Sequence, residues 1–235
     1  AMAVVLYHYT AREGFQDFSA LANFTKFGYL GVPLFFIISG YVIALSAKNR
    51  TPIEFAVSRF VRLYPAFWCG IVFTVIVTGY FANVSFDAIT ILANATMLND
   101  YLNIANIDGV YWTLQAELKF YACMFLLLAF GVFERYKVWL TAWLVITTTF
   151  LLLEQPFFMG WFISPYYSSF FIAGIAFYLI QNEGKTRFNL TALFASLILS
   201  AYMAYQQVGS FFNSPSELDR LIAIMIICSF YVIFW

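Results

Sequence analysis

Two arginines, Arg59 and Arg62, stand three residues apart in the run TPIEFAVSRFVRLYP from Thr51 to Pro65. On a helix that spacing places both guanidinium groups on one face. Two planar forks side by side suit phosphate, which accepts bidentate hydrogen bonds. They equally suit basic anchors that reach toward headgroups at a membrane surface, and on spacing alone the anchor role is the stronger. Glu117 lies inside an apolar run, in YWTLQAELKFY from Tyr111 to Tyr121. A carboxylate within a bilayer costs roughly 2.5 kcal/mol or more unless it is paired or faces a wet cavity, so Glu117 is either a structural partner for a basic group or a working residue. Thr113, Glu117 and Tyr121 recur every four residues and share a stripe, whereas Lys119 points to nearly the opposite side. His8 is the only histidine. A lone histidine near the end of a span is more often structural than catalytic.

The elements that must carry these residues follow from composition. Hydrophobic residues make up 63% of the 235 and charged residues only 10%, against roughly 25% charged in a soluble domain. Such a chain must face lipid, where only helices or a closed barrel satisfy the backbone. Unbroken apolar runs, in place of alternation, select helices. The runs predict a partial first span ending near Tyr9, then Tyr29 to Ala47, Tyr64 to Ala82, Val110 to Phe133, Val138 to Leu153, Ser164 to Ile180, Leu190 to Val208 and Leu218 to Trp235. The expected fold is an all-α integral membrane protein, a polytopic bundle of about eight transmembrane helices forming a single domain over residues 1–235. The chain opens inside an apolar run and closes on Trp235 with no polar tail, so both ends read as cut. Thr51, Pro52 and Glu54 form a capping box with proline at the first helical position, so a helix should begin there. Ala88 to Leu98 reads as a short helix lying in the interface.

Charge adds sidedness. Lys48, Arg50, Arg59, Arg62, Arg135, Lys137, Lys185 and Arg187 fall on alternate connections, which are therefore cytoplasmic. Arg12, Lys26 and Arg220 fall on the other side, together with Asp17, Asp87, Asp100, Asp108, Glu154 and Asp219. His8 and Glu117 then both lie in the outer halves of their spans. A hydrogen bond between them is geometrically open and would fix the imidazole tautomer. Net charge is zero, which gives no attraction to nucleic acid. The three cysteines, Cys69, Cys123 and Cys228, lack metal-ligand spacing and read as small core residues. Asn-x-Ser/Thr triplets at Asn23, Asn83, Asn94 and Asn189 carry no weight without a secretory context. Two classes of function remain open on these residues alone: an enzyme working between Arg59/Arg62 and His8/Glu117, or a secondary transporter or exporter of a glycolipid-like substrate in which Glu117 and His8 relay protons.

Four segments in order resemble the membrane-bound acyltransferase-3 family: His8 in LYHY, GVPLFFIISG from Gly31 to Gly40, RFVRLYP from Arg59 to Pro65, and WTLQAELKFY from Trp112 to Tyr121. A looser FFIAG follows at Phe170 to Gly174. Pro33 departs from the family pattern, and the basic residue that usually precedes the histidine by about eleven positions would fall before Ala1. The resemblance implies a membrane O-acyltransferase of the cell envelope, most simply in a bacterial inner membrane. It would move an acyl group, most simply acetyl, from cytoplasmic acyl-CoA to a hydroxyl of an extracytoplasmic glycan or glycolipid. It assigns Arg59 and Arg62 to the phosphates of acyl-CoA, which acts as co-substrate with no tightly bound cofactor and no metal. His8 becomes the base or a transient acyl carrier, with Glu117 orienting it. Ser39 is a conceivable nucleophile or oxyanion donor, and Trp112, Thr113 and Tyr121 are expected to line the substrate path.

Overall fold

The computed structural model describes residues 2–12, 25–153, 158–212 and 214–235. Asp17, Asn23 and Glu154, used above for sidedness and glycosylation, lie outside the described residues. Every regular element among the described residues is helical. The helices are α1 (Met2–Leu6), which continues as a π-helical turn Tyr7–Arg12; α2 (Gly31–Ala47), entered through a 3₁₀ turn Gly28–Leu30; α3 (Pro52–Phe81); α4 (Ala88–Ala95); α5 (Trp112–Ala129); α6 (Tyr136–Leu153); α7 (Met159–Phe162); α8 (Pro165–Glu183); α9 (Arg187–Phe211); and α10 (Glu217–Phe234).

Four helical stretches are long and apolar enough to cross a membrane: Gly28–Ala47, Pro52–Phe81, Tyr136–Leu153 and Arg187–Phe211. The chain is thus an all-helical membrane protein, with four of the expected eight or so spans supported by length and composition. The remaining long helices fall short for reasons visible in their sequences. α5 carries Gln115, Glu117 and Lys119; α8 mixes serines, tyrosines and a polar Gln181–Asn182–Glu183 end into its apolar run; α10 opens on Glu217, Asp219 and Arg220.

The chain divides into two compact units. The first comprises Ala1–Leu45, Lys137–Phe157 and Pro165–Trp235. Its centre is α8, buried continuously from Ser168 to Leu179, as expected of a helix with no sustained polar face. α8 packs on α9, and α9 on α10. The α2 and α8 backbones meet at a pair of glycines: a Cβ on Gly40 would stand 2.2 Å from the Phe171 carbonyl oxygen, and one on Gly174 would stand 2.1 Å from that of Ile37. Such small residues let membrane helices approach to backbone contact, where packing replaces the missing hydrophobic drive.

The second unit comprises Ser46–Tyr136 and Phe158–Ser164. Its α3 begins where the capping box predicts: the Thr51 hydroxyl accepts from the Glu54 N–H, and the Glu54 carboxylate accepts from the Thr51 N–H. The helix then runs thirty residues without interruption, so the helix expected to start at Thr51 and the span expected from Tyr64 are one element. Pro65 sits inside it, on an exposed face. α3 packs against α5 around Phe67, Ile71, Met97, Ile107 and Tyr111. The connection to α5 holds the expected short helix, α4, with exposed Ile89 and Leu92 and with Asp87 as its N-cap. Hydrogen bonds from the Thr90 side chain and N–H hold the Asp87 carboxyl below the usual carboxylate range, so this cap is fully present above that range and is lost as pH falls through the lowered value. Buried amides fasten the connection to α5: Gln115 donates to Asn99 and Asn106, while Asn94 and Asn99 donate to the carbonyls of Ala105 and Ile104. Cys69, expected in a core, is exposed on α3, and Cys123 and Cys228 are half-buried. In a membrane helix an apolar side chain faces lipid at no penalty, so a cysteine in an apolar run need not be interior.

Candidate active site

Arg59 lies two turns into α3, with only 8% of its surface exposed. One guanidinium nitrogen, Nη2, donates to the hydroxyls of Ser46 and Ser58 at 3.0 Å each. Ser46 comes from the last turn of α2 and reaches Arg59 because the intervening turn is tight: Asn49 takes a left-handed conformation (φ 59°) that asparagine tolerates. The guanidinium carbon stands 5.9 Å from the ring centres of both Phe55 and Tyr121. Nε is buried without a hydrogen-bond partner, and among the described residues no carboxylate lies within 4.0 Å of the group. A buried cation held only by neutral groups, with one donor unused, is suited to an anion from outside.

Beside it opens a pocket of about 250 Å³. Phe55, Phe60, Leu63, Tyr64, Leu118 and Phe125 give it an apolar wall, and Arg59 and Tyr121 give it two polar groups. Arg62, by contrast, is exposed. Three residues advance a helix by about 300°, so the two arginines diverge by about 60°. That divergence suffices to put one guanidinium among aromatic rings and leave the other outside, so they do not form two equivalent forks.

Glu117 and Tyr121 stand one turn apart on α5, each 6% exposed. The Tyr121 hydroxyl donates to Glu117 Oε1 at 2.6 Å. The expected stripe therefore holds for these two residues. Its third member, Thr113, turns its hydroxyl to the Val110 carbonyl at 2.9 Å, closing the first turn of the helix, and Trp112 is half-buried beside it. Lys119, on the other side of α5, donates to the Gly160 carbonyl at 3.3 Å and lies 5.5 Å from the Tyr101 ring centre. A smaller pocket of about 80 Å³ opens there.

In the first unit, His8 falls in the π-helical turn after α1 and is half-buried, its ring edge-on to Tyr7 at 5.5 Å. Single π-helical turns are uncommon and are often found at functional positions. Gly28 positions this segment. A Cβ there would come 2.1 Å from the Ala3 carbonyl oxygen and 2.8 Å from Tyr7 Cβ, so only glycine lets the entry to α2 lie against the turn before His8. Thr10 returns its hydroxyl to the Leu6 carbonyl at 2.6 Å. Lys26 pairs with Asp219 at the start of α10 and lies 5.2 Å from the ring centres of Phe27 and Phe212. Ser39 is buried on α2, next to the Gly40 crossing.

Of the residues singled out in the sequence, Arg59, Glu117 and Tyr121 come together in the second unit, with Arg62 outside their pocket, while His8 and Ser39 belong to the first. Ser46, Ser58 and Gly28 escaped notice. Ser58 is adjacent to Arg59 in sequence and was open to recognition. Ser46 reaches it only through the turn at Asn49, which no spacing rule announces. The whole chain, residues 1–235, matches the family model described as an acyltransferase domain, Acyl_transf_3. No curated protein and no solved structure matches it. Apolar helices long enough to cross a bilayer, together with a family match that leaves no part of the sequence outside, make this chain a member of the acyltransferase-3 family, an integral membrane enzyme that transfers acyl groups.

Proposed function

We propose that the enzyme transfers an acyl group, most simply acetyl, from cytoplasmic acyl-CoA to a hydroxyl of an extracytoplasmic glycan or glycolipid, in a bacterial inner membrane. The observation that carries this reading is Arg59. Its buried guanidinium has neutral partners and an unused Nε, and it borders an apolar pocket near the basic start of α3. Acyl-CoA matches that combination. Its phosphates accept charge-assisted hydrogen bonds from arginine, and its pantetheine arm and acyl group are slender and largely uncharged. Arg62, exposed nearby, adds positive potential at the entrance.

In the proposed reaction His8 takes the proton from the acceptor hydroxyl as that oxygen attacks the thioester carbonyl carbon. The C–S bond breaks, the CoA thiolate leaves, and the proton held by His8 passes to it. By the alternative route the imidazole first accepts the acyl group, releasing CoA, and the acceptor hydroxyl then displaces the imidazole. Glu117 is proposed as the carboxylate that selects the imidazole tautomer in both routes. Ser39 is proposed as a donor to the oxyanion and Trp112 as part of the substrate path. Thr113, its hydroxyl committed to Val110, serves the helix terminus.

The test uses purified full-length enzyme with acetyl-CoA and candidate glycans, following the free thiol released and the acetyl group gained by the glycan. Wild type should turn over only when both substrates are present. His8→Ala should lose at least a hundredfold in rate while still inserting into membranes. A wild-type rate in His8→Ala removes the histidine from the mechanism. Movement of a glycolipid across proteoliposomes under a proton gradient, with no acyl donor and no thiol release, would establish transport instead.

A further inference from the structure

The second unit joins its buried cation to its buried carboxylate through one side chain. Tyr121 presents its ring to Arg59, 5.9 Å from the guanidinium carbon, and its hydroxyl to Glu117 Oε1 at 2.6 Å. All three side chains are at least nine-tenths buried. We infer that Tyr121 is a positioning residue that fixes the Glu117 carboxylate and ties it to the arginine at the donor pocket. This rests on the functional reading above, in which Arg59 meets the donor and Glu117 serves the transfer step.

The chemistry of each group supports that assignment. A glutamate side chain has considerable rotamer freedom to lose, and a carboxylate that must orient a second group has to be held in one direction. An O–H donated to a carboxylate is short and strong, and it is directional where an ion pair with a flexible lysine is not. The phenol ring supplies what a serine in the same place would lack. It reaches across to the guanidinium, whose positive charge sits favourably near an aromatic face. Arg59 and Glu117 therefore share Tyr121 in place of a direct ion pair, which leaves the Nε donor of Arg59 unused. The spacing on α5 is what makes this possible. Tyr121 is four residues after Glu117, so their side chains meet on one face. The same tyrosine lines the pocket next to Arg59, so a donor entering there meets the group that holds the carboxylate.

Tyr121→Phe keeps the ring against Arg59 and deletes only the hydroxyl. In the full-length enzyme it should lower kcat at least tenfold while leaving KM for acetyl-CoA within about twofold, because donor contacts remain. In a Glu117→Gln background the same substitution should cost little more, since both changes disturb one unit. Full additivity of the two would overturn the inference. So would an unchanged kcat in Tyr121→Phe, or a raised KM with kcat intact, which would make Tyr121 part of the donor grip alone. A second measurement does not depend on the donor's identity. The carboxylate infrared bands of Glu117, assigned by their loss in Glu117→Gln, should shift in Tyr121→Phe, and unshifted bands would overturn the inference even if acetyl-CoA proves to be the wrong donor. Conversely, absent turnover in wild type together with shifted bands would place the failure in the functional reading.

Discussion

Hydroxyl groups bond two of the costly charges in the second unit: Ser46 and Ser58 at Arg59, and Tyr121 at Glu117. A guanidinium or carboxylate in a membrane helix is expensive, and neutral partners offset only part of that cost. Stability alone would be served better by an apolar side chain at either position. The half of this arrangement that lies on α5 was legible, because Glu117 interrupts an apolar run and Tyr121 follows it by one helical turn. The half at Arg59 was read too symmetrically. Two arginines three apart looked like a matched pair, and the divergence of about 60° between them decides which is buried once α5 covers one side. At this scale the sharpest prediction concerns Glu117→Gln. The amide is nearly isosteric and can still accept from Tyr121, so the fold should hold, while the loss of charge should lower kcat by about a hundredfold with KM for acetyl-CoA little changed. Steady-state kinetics on the purified variant checks it, and a kcat near wild type would make Glu117 a structural residue.

Elements place these side chains through a few local devices. The capping box at Thr51 fixes where α3 starts and therefore which residues of its first turns face α5. That start was readable from Thr51, Pro52 and Glu54, although the thirty-residue length of α3 was not, because its first turns carry Glu54, Arg59 and Arg62 and the apolar run that marks a span begins only at Tyr64. Proline is tolerated inside membrane helices where neighbouring groups or local adjustment relieve the freed carbonyl, so Pro65 did not break the element. The Gly31 to Gly40 and Phe170 to Gly174 segments stood out as motifs, but their purpose is visible only in three dimensions: each supplies one glycine to the crossing of α2 and α8. Gly174→Ala puts a methyl carbon into the Ile37 carbonyl and close to the Tyr41 N–H, contacts that backbone cannot yield without moving a helix. The expected cost is about 1–3 kcal/mol, read as a lower thermal midpoint in detergent. Ala substitution at Gly70, which sits inside α3 with open space around it, serves as the control and should leave the midpoint unchanged or slightly raised, because alanine is the better helix former. Equal midpoints for the two variants would show that the crossing tolerates separation.

For the molecule as a whole, composition alone excluded a soluble fold, and the ordered motifs matched a family that the comparison finds over residues 1–235. The number of spans was less legible. Hydropathy marks a helix by what its surface presents to lipid, and α8 is buried by other helices while α5 and α10 carry charge, so three long helices lack the signature that four others show. The same features that obscure α5 as a span are those that give it chemistry. Whether Arg59 holds an acyl-CoA donor is therefore the central question, and calorimetric titration of acetyl-CoA into purified full-length enzyme measures that directly. Arg59→Lys keeps the charge but loses the fork, and it should weaken binding about tenfold or more, whereas Arg62→Lys, at an exposed position, should weaken it by less than about threefold. Equal affinity for wild type and Arg59→Lys would contradict the account and return Arg59 to the role of a structural cation.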